Sequence, residues 1–432
     1  MRILQSQFVH HVATLLSGKV LAQVVSISMV PIVARLFDPD DFGVVAIFMA
    51  VAQGLAVVAP LRYFRASLLM GNDQRANMML SMSAWLLVFF CVLVFGVVAV
   101  VAPGGFSAGF LEPLGVWIWL LPVQVFLLAL SQIMTTAHTR NKTFRPVATA
   151  DVGEALLMSG GRILTGLGGS SVWGLLVGQF IGNAGRVLLM ARENVSVAKL
   201  FRLRMSWQEA KSLAIEYRDF PLHDTPAGMV TFMAEKVPLL AMGIMFAPAT
   251  VGLFAMADRL IRMPVLSAGI SIREVFHRRI VGGDMGRELR KPLTALTLWM
   301  LLLGAVPFGV LGIFGTELLS FVLGEKWIDA GVFVQILAPW YYASWVNTGV
   351  HPVLMTIRRQ GLWLRIQFGT LLGRVIIFGI GYLTAADVVT TLKWYSGISV
   401  LGALAVLARV YHLLGTQHRT TPRPGGGADG VA

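Results

Sequence analysis

The chain has 432 residues, of which 56% are hydrophobic and only 13% are charged, and its formal net charge is +13. Soluble domains carry about 25% charged residues, so a water-soluble core cannot bury this much apolar surface, and a lipid bilayer must be the solvent. The lone cysteine, Cys91, excludes an internal disulfide. The N-terminus lacks a charged segment followed by a small-residue cleavage site, so we expect the first apolar run to be retained as a membrane span.

Twelve apolar runs are long enough to cross a bilayer as helices, which takes about 20 residues each. Six of them lie in each half of the sequence. Their approximate limits are 12–34, 43–61, 79–101, 115–136, 147–168, 171–190, 222–246, 250–272, 293–314, 330–351, 363–383 and 394–414. We therefore predict an all-α polytopic membrane protein with about twelve transmembrane helices.

A ten-residue pattern, F-x-P-x-x-x-G-x-x-A, occurs at Phe37–Ala46 and again at Phe246–Ala255, 209 residues later. Each copy lies between the first two apolar runs of its half, where Pro presets φ and Gly permits a tight turn or a close approach. The repetition predicts a duplicated protein with two pseudo-symmetric six-helix lobes and a working site between them. The predicted parts are an N-terminal lobe 1–195, a cytoplasmic linker 196–221, a C-terminal lobe 222–414 and a disordered tail 415–432.

Basic residues are distributed very unevenly between the two sides of the predicted spans. With a cytoplasmic N-terminus, 24 of the 35 Lys and Arg residues fall on the cytoplasmic side, and only Arg35, Lys326 and Lys393 fall on the opposite side. The positive-inside rule therefore predicts that both termini are cytoplasmic. Most of the net charge then reflects topology and attraction to anionic lipid, not a nucleic-acid surface.

The linker contains a helix-start signal. Ser206-Trp207-Gln208-Glu209 has the pattern of a capping box, and apolar residues recur after it at helical spacing as far as Tyr217. We predict an interfacial amphipathic helix that ends near Pro221.

Among the ionisable residues inside the predicted spans, eight basic and three acidic ones stand out. They are Lys19, Arg162, Arg186, Lys236, Arg259, Arg262, Arg374 and Arg409, with Glu154, Glu235 and Asp258. Each costs roughly 2.5–3.5 kcal/mol at the centre of an inserted helix, so we expect them to face a wet cavity or to pair with one another. Arg186 and Arg409 lie near span ends, where snorkelling to the interface is expected. Glu154 and Arg162, eight residues apart, either line one side of a cavity or pair with different helices.

The excess of positive charge favours a cationic, water-filled site for an anion. Its candidate ligands are Lys19, Arg162, Lys236, Arg259, Arg262 and Arg374. Glu154, Glu235 and Asp258 are the candidates for coupling to H⁺ or Na⁺. The alternative is an ion-pair network that holds helices together, in which Asp258 and Arg262, four apart on one helix face, form a structural pair.

Sequence motifs of enzymes are not found. No P-loop, nucleophile-elbow or metal-ligand pattern occurs, so we predict no catalytic residue, no metal site and no cofactor. We expect a protein that is not an enzyme.

Several short segments resemble bacterial polysaccharide flippases of the multidrug/oligosaccharidyl-lipid/polysaccharide exporter superfamily. Leu16-Ser17-Gly18 and Pro31–Gly43 resemble the start of these proteins. Similar segments follow in the same order at Leu61-Arg62-Tyr63, Tyr217–Pro221, Val251–Ala255, Phe314–Leu318 and Gly324–Trp327. The resemblance implies two lobes of six helices around a central cavity in the bacterial inner membrane. It also implies transport of polyprenyl-pyrophosphate-linked sugars to the periplasmic face by alternating access.

The leading hypothesis is therefore a flippase for lipid-linked oligosaccharide repeat units of O-antigen, capsule or exopolysaccharide. Its partners would be the bilayer, the lipid-linked glycan, and a polysaccharide polymerase and chain-length protein, with no nucleic acid. A drug or cation antiporter of the same fold is the alternative, although a cationic lumen disfavours a cationic substrate. A membrane polymerase or ligase is a third hypothesis, which the short outer loops disfavour. Glu235-Lys236 places a cation beside an acid where the family carries polar or single acidic residues, so the coupling ion stays open.

Overall fold

The computed structural model describes residues 2–101, 111–191, 195–202, 206–281, 289–357 and 359–420, and every regular element in these ranges is helical. The α-helices are α1 Arg2–Leu36, α2 Pro39–Val58, α3 Asp73–Val101, α4 Leu121–Arg140, α5 Arg145–Leu167, α6 Val172–Met190, α7 Val197–Arg202, α8 Trp207–Glu216, α9 Thr225–Met245, α10 Pro248–Val281, α11 Arg290–Leu323, α12 Ile328–Val346, α13 Val350–Thr356, α14 Gln360–Leu383 and α15 Val388–Thr420. Short 3₁₀ helices precede α4 (Glu112–Leu120) and follow α2 (Tyr63–Leu69). The prediction of an all-α chain is confirmed.

All twelve predicted spans fall on helices, and the tenth continues from α12 through a 3₁₀ turn into α13. In the described part of the chain, nine helical segments are long and apolar enough to cross a membrane. The spans on α5, α10 and α12 are outside that set. For α5 and α10 the reason is the charge within them, because each carries three ionisable residues in its central part.

Several helices extend beyond the apolar runs that predicted them. α3 begins at Asp73, α10 continues to Val281, and α15 continues to Thr420, inside the segment predicted to be a disordered tail. Backbone hydrogen bonding extends a helix into water, where hydropathy no longer reports it. The rest of the predicted tail, 421–432, lies outside the described residues.

The predicted capping box at the start of α8 is confirmed. The Ser206 hydroxyl accepts a hydrogen bond from the Glu209 amide at 3.2 Å, and the Glu209 carboxylate accepts one from the Ser206 amide at 2.8 Å. The helix ends at Glu216, ahead of Pro221, which lies in a π-helical turn leading into α9. Buried Leu213 anchors α8 against Tyr63 and its neighbours.

The two copies of the repeated pattern form two helix corners that touch each other. Pro39 and Pro248 are the first residues of α2 and α10. A Cβ added at Gly43 would lie 2.5 Å from the carbonyl carbon of Pro248, and one added at Gly252 would lie 2.8 Å from that of Pro39. Each glycine therefore packs on the carbonyl of the opposite proline, which is the reciprocal pattern of a two-fold contact. The pattern predicted the turns, and the structure adds the contact between them.

The connection between α11 and α12 secures the first of these corners. Trp327 is fully buried, and its indole N–H donates to the carbonyl oxygen of Ala34 at 2.8 Å. Its ring meets Phe42 edge-on, with 5.2 Å between the ring centroids. Beside it, the Lys326 ammonium lies 3.0 Å from an Asp38 carboxylate oxygen. The corner is thus held by apolar, hydrogen-bonded and ionic contacts together.

The chain packs as two compact units. One comprises Met1–Met256 with Leu319–Asp329, and the other comprises Ala257–Leu318 with Ala330–Ala432. Both helix corners and the α11–α12 connection belong to the first unit. The division follows where contacts within the chain are most frequent, and the predicted lobe boundaries stay a prediction.

Candidate functional site

In the second unit, Asp258 on α10 is held from two directions. One of its carboxylate oxygens pairs with the Arg262 guanidinium one turn later, and the other accepts a hydrogen bond from the Tyr341 hydroxyl of α12. Asp258 is 9% exposed and Tyr341 is 4% exposed. The predicted meeting of Asp258 and Arg262 on one helix face is confirmed, and a tyrosine joins them. A carboxylate with both oxygens engaged is well suited to fixing α10 against α12.

Arg374 on α14 lies over two aromatic rings. Its guanidinium carbon is 4.9 Å from the ring centroid of Trp340 and 5.4 Å from that of Tyr395. Its Nε donates to the Ser399 hydroxyl at 3.0 Å. Cation–π contacts of this kind contribute about 0.5–2 kcal/mol, more when water is excluded. They hold the guanidinium in one plane at a fixed place between α12, α14 and α15.

These two groups are contiguous, because Trp340 and Tyr341 are neighbours with ring centroids 4.4 Å apart. We call the whole group the aromatic–basic cluster. It consists of Asp258, Arg262, Trp340, Tyr341, Arg374, Tyr395 and Ser399. Sequence reasoning identified its charged members and missed the aromatic ones. The sequence signal was the W-Y-Y triplet in the middle of a span, which ordinary core packing also explains.

Arg259 is the neighbour of Asp258 on α10. Its Nε is buried, and none of the described residues accepts a hydrogen bond from it. An N–H of a charged group left in this state costs free energy unless a partner arrives. Arg259 therefore carries a donor that a bound anion would satisfy.

In the first unit, the charged residues of α5 are paired with α6. One Nη of Arg186 lies 2.7 Å from an Asp151 oxygen and 2.7 Å from a Glu154 oxygen, and Arg162 donates to the Gln179 side chain at 2.8 Å. The expectation that Arg186 snorkels to the interface is therefore replaced by a double ion pair. Asp151 is 8% exposed and lies in the same predicted span as Glu154, but sequence reasoning passed over it.

Glycine brings α5 and α6 close enough for this pairing. A Cβ at Gly161 would lie 3.0 Å from the Cα of Gly178, and one at Gly178 would lie 2.5 Å from Cγ of Arg162. Glu154 and Arg162 thus both have a partner on α6, where Gly178 leaves room for the Arg162 side chain. This arrangement is typical of close helix packing in membranes.

The remaining predicted residues also lie in the first unit. The Lys236 ammonium is 3.7 Å from a Glu235 oxygen, and the Lys236 side chain is mostly buried whereas that of Glu235 is about half exposed. Lys19 is exposed on α1. The aromatic–basic cluster includes none of these three residues. Arg259 is not a member of the cluster either, although it follows the cluster member Asp258 on α10. Among the described residues, no three His, Cys, Asp or Glu side chains come together in a way that could hold a metal ion.

The solved structures that resemble this chain are membrane transporters and a lipid flippase. A search of curated proteins found no match. Among solved structures, the lipid II flippase MurJ in an inward closed conformation has a TM-score of 0.67 and 11% identity, covering 94% of this chain and 90% of its own. A multidrug resistance MATE family transporter of the MOP superfamily, inward-facing, has a TM-score of 0.63 and 13% identity, covering 94% and 96%. A mutant of the Vibrio cholerae MATE transporter VcmN has a TM-score of 0.59 and 13% identity, covering 95% and 97%.

These likenesses confirm the two-lobe fold of the multidrug/oligosaccharidyl-lipid/polysaccharide exporter superfamily. A family profile described as "Polysaccharide biosynthesis protein" matches residues 32–331. Because that match covers most of the chain, the protein belongs to this polysaccharide biosynthesis family.

Proposed function

We propose that the protein moves polyprenyl-pyrophosphate-linked oligosaccharide repeat units across the bacterial inner membrane, from the cytoplasmic to the periplasmic leaflet. The units would serve synthesis of a surface polysaccharide such as O-antigen, capsule or exopolysaccharide. The family description supports a polysaccharide substrate, and the fold shared with a lipid II flippase supports transport of a lipid-linked one.

The observation that carries the proposal is the buried Nε–H donor of Arg259. Its Nε donor has no acceptor among the described residues, and it lies in a span of a chain whose intramembrane charges are mostly basic. A pyrophosphate supplies the strongest acceptors for such a donor, since charge-assisted bonds are roughly twice as strong as neutral ones. Arg also binds phosphate oxygens bidentately, which Lys does not.

The reciprocal corner contact supports alternating access as the mechanism. Gly43 of α2 packs on the Pro248 carbonyl, and Gly252 of α10 packs on the Pro39 carbonyl. This contact holds the N-terminal ends of α2 and α10 together. The positive-inside rule puts this end on the periplasmic side, with both termini cytoplasmic. Substrate release there requires the corners to part, and Glu154, Glu235 and Asp258 are the acids at which a coupled H⁺ or Na⁺ would bind. A polysaccharide polymerase and a chain-length protein would receive the product.

The test is flipping of a purified polyprenyl-pyrophosphate oligosaccharide in proteoliposomes. Arg259→Ala should slow flipping about tenfold or more, which corresponds to the loss of one hydrogen bond to a charged group. Arg259→Lys should restore part of the rate, because it keeps the charge and loses the planar fork. Arg409→Ala is the matched control, since Arg409 is an exposed arginine of α15. Full flipping by a normally inserted Arg259→Ala protein would overturn the proposal.

Export of a cationic compound is the second candidate function, because MATE transporters share the fold. The same proteoliposomes loaded with a fluorescent cationic dye decide between the two. Dye export driven by a proton or sodium gradient, without movement of the lipid-linked sugar, would favour the antiporter.

A further inference from the structure

A cavity of about 600 Å³ lies where α3 begins, α4 ends and α7 crosses them. Cavities of this size hold small ligands in many proteins. Its polar lining consists of Asp73, Asn77, Asn141, Ser196, Lys199 and Arg202. Leu80, Val195 and Leu200 give it an apolar floor. The cavity is separate from the charged residues of the spans described above.

The position of the cavity in the membrane follows from the helices that form it. α3 and α4 belong to candidate spans that run Asp73–Val101 and Glu112–Arg140. The first turn of one and the last turn of the next lie at the same membrane surface, because successive spans run in opposite directions. The cavity is therefore at the level of lipid headgroups, on the side predicted to be cytoplasmic.

Helix α7 is fixed over the cavity by its apolar side. Leu200 is 6% exposed, and its carbonyl accepts a hydrogen bond from the Ser81 hydroxyl of α3. The next residue, Phe201, meets the Trp85 ring edge-on with 5.6 Å between centroids. Lys199 and Arg202, three residues apart on the other side of the helix, are exposed. The docking of α7 thus presents two basic side chains together at the cavity.

Asp73, the acidic residue of the lining, already forms an ion pair with a basic residue. A terminal nitrogen of Arg140 lies 2.7 Å from an Asp73 oxygen, and Arg140 also donates to the Met70 carbonyl at 2.7 Å. The charge offered to a ligand is then that of Lys199 and Arg202, with the amides of Asn77 and Asn141 as neutral donors. Basic groups and amide donors above an apolar floor match a phosphate attached to a lipid.

We propose that this cavity binds the phosphate-bearing headgroup of an anionic phospholipid from the surrounding leaflet. Lys199 and Arg202 bind the phosphate, the two asparagines donate to its ester and glycerol oxygens, and the first methylene groups of the acyl chains lie on Leu80 and Leu200. The site ties the linker segment that carries α7 to the membrane surface. It does not depend on which substrate the protein transports.

Native mass spectrometry of the full-length protein in detergent tests the proposal. One phosphatidylglycerol should bind more tightly than phosphatidylcholine. Lys199→Ala/Arg202→Ala should weaken phosphatidylglycerol binding by on the order of tenfold or more, because a basic residue at a membrane surface contributes about 1 kcal/mol. Lys211→Ala/Arg218→Ala removes two exposed basic residues from the linker and should leave the affinity unchanged. Lys199→Arg/Arg202→Lys should keep it, and its thermal unfolding midpoint checks that the fold is intact.

Three results would overturn the assignment. Equal phosphatidylglycerol affinity in the wild type and the Lys199→Ala/Arg202→Ala protein would remove the two basic residues from the site. Equal affinity for phosphatidylcholine would show that the anionic character of the lipid is not recognised. Displacement of the lipid by inorganic phosphate at a similar concentration would assign the cavity to a free anion.

Discussion

The reciprocal contact between Gly43 and Gly252 predicts a large effect of one added methyl group. In Gly43→Ala the new Cβ would lie 2.5 Å from the carbonyl carbon of Pro248. The neighbour is backbone, not the end of a flexible side chain, so α2 and α10 must move apart. Overpacking of this kind costs about 1–3 kcal/mol. The closed contact should therefore lose population by a factor of about 5–150.

The same geometry predicts that the two substitutions are not additive. In Gly252→Ala the new Cβ would lie 2.8 Å from the carbonyl carbon of Pro39. A single separation of α2 from α10 relieves both overlaps, so the second methyl group meets a contact that the first has already opened. The double variant should cost clearly less than the sum of the two single variants.

Spin labels on either side of the contact measure the separation. Asp40→Cys and Ala249→Cys, in a Cys91→Ser background, place labels one residue beyond Pro39 and Pro248. Pulsed dipolar spectroscopy should show a longer-distance population in Gly43→Ala. Gly96→Ala is the matched control, because no heavy atom lies within 4 Å of its new Cβ. An unchanged distance distribution in a folded Gly43→Ala protein would refute the steric argument.

Three further predictions concern packing, charge and pH. Trp327→Ala should cost about 3–5 kcal/mol of stability because the ring is fully buried, whereas Trp327→Phe should lose little beyond one hydrogen bond; equal unfolding midpoints for the two would contradict this. Arg186→Ala leaves two carboxylates without their shared cation and should cost about 3–5 kcal/mol, with an unchanged midpoint counting against the pairing. Hydrogen bonds from the Ser206 amide and hydroxyl lower the pKa of Glu209 below its ordinary 4.5, so the capping box stabilises α8 above that pH and is lost as the pH falls through the lowered pKa. Hydrogen exchange of α8 should show this loss in the wild type and not in Glu209→Ala, which has no carboxylate to titrate.

The helices and local contacts could be predicted from the sequence because they depend on neighbouring residues. Apolar run length located the spans, the Ser206–Glu209 spacing located the start of α8, and the spacing of four located the Asp258–Arg262 pair. Helix ends were predicted less well. Hydropathy reports where the chain leaves lipid, whereas a helix ends where its hydrogen bonding ends, as at Asp73 in α3.

Contacts between helices that are far apart in the chain could not be predicted from the sequence. Arg374 reaches Trp340 and Tyr395 only because α12, α14 and α15 are packed together, and no spacing along the chain encodes that packing. Arg186 was expected at the lipid interface for the same reason. Its partners are on α5. The sequence shows that glycines are present in α5 and α6, but it does not show that they bring the two helices into contact.

The first helix corner is completed by residues that the ribosome adds much later. Ala34 is among the last residues of α1, whose carbonyl groups have no partner within the helix, and its donor is the indole of Trp327, 293 residues further along the chain. Asp38 likewise receives its cation from Lys326. The first hairpin of a nascent chain is therefore synthesised early, but its contacts with Trp327 and Lys326 form only after α11 has been made. A polypeptide that stalls before Leu319 therefore lacks both the hydrogen-bond donor to Ala34 and the cation that pairs with Asp38.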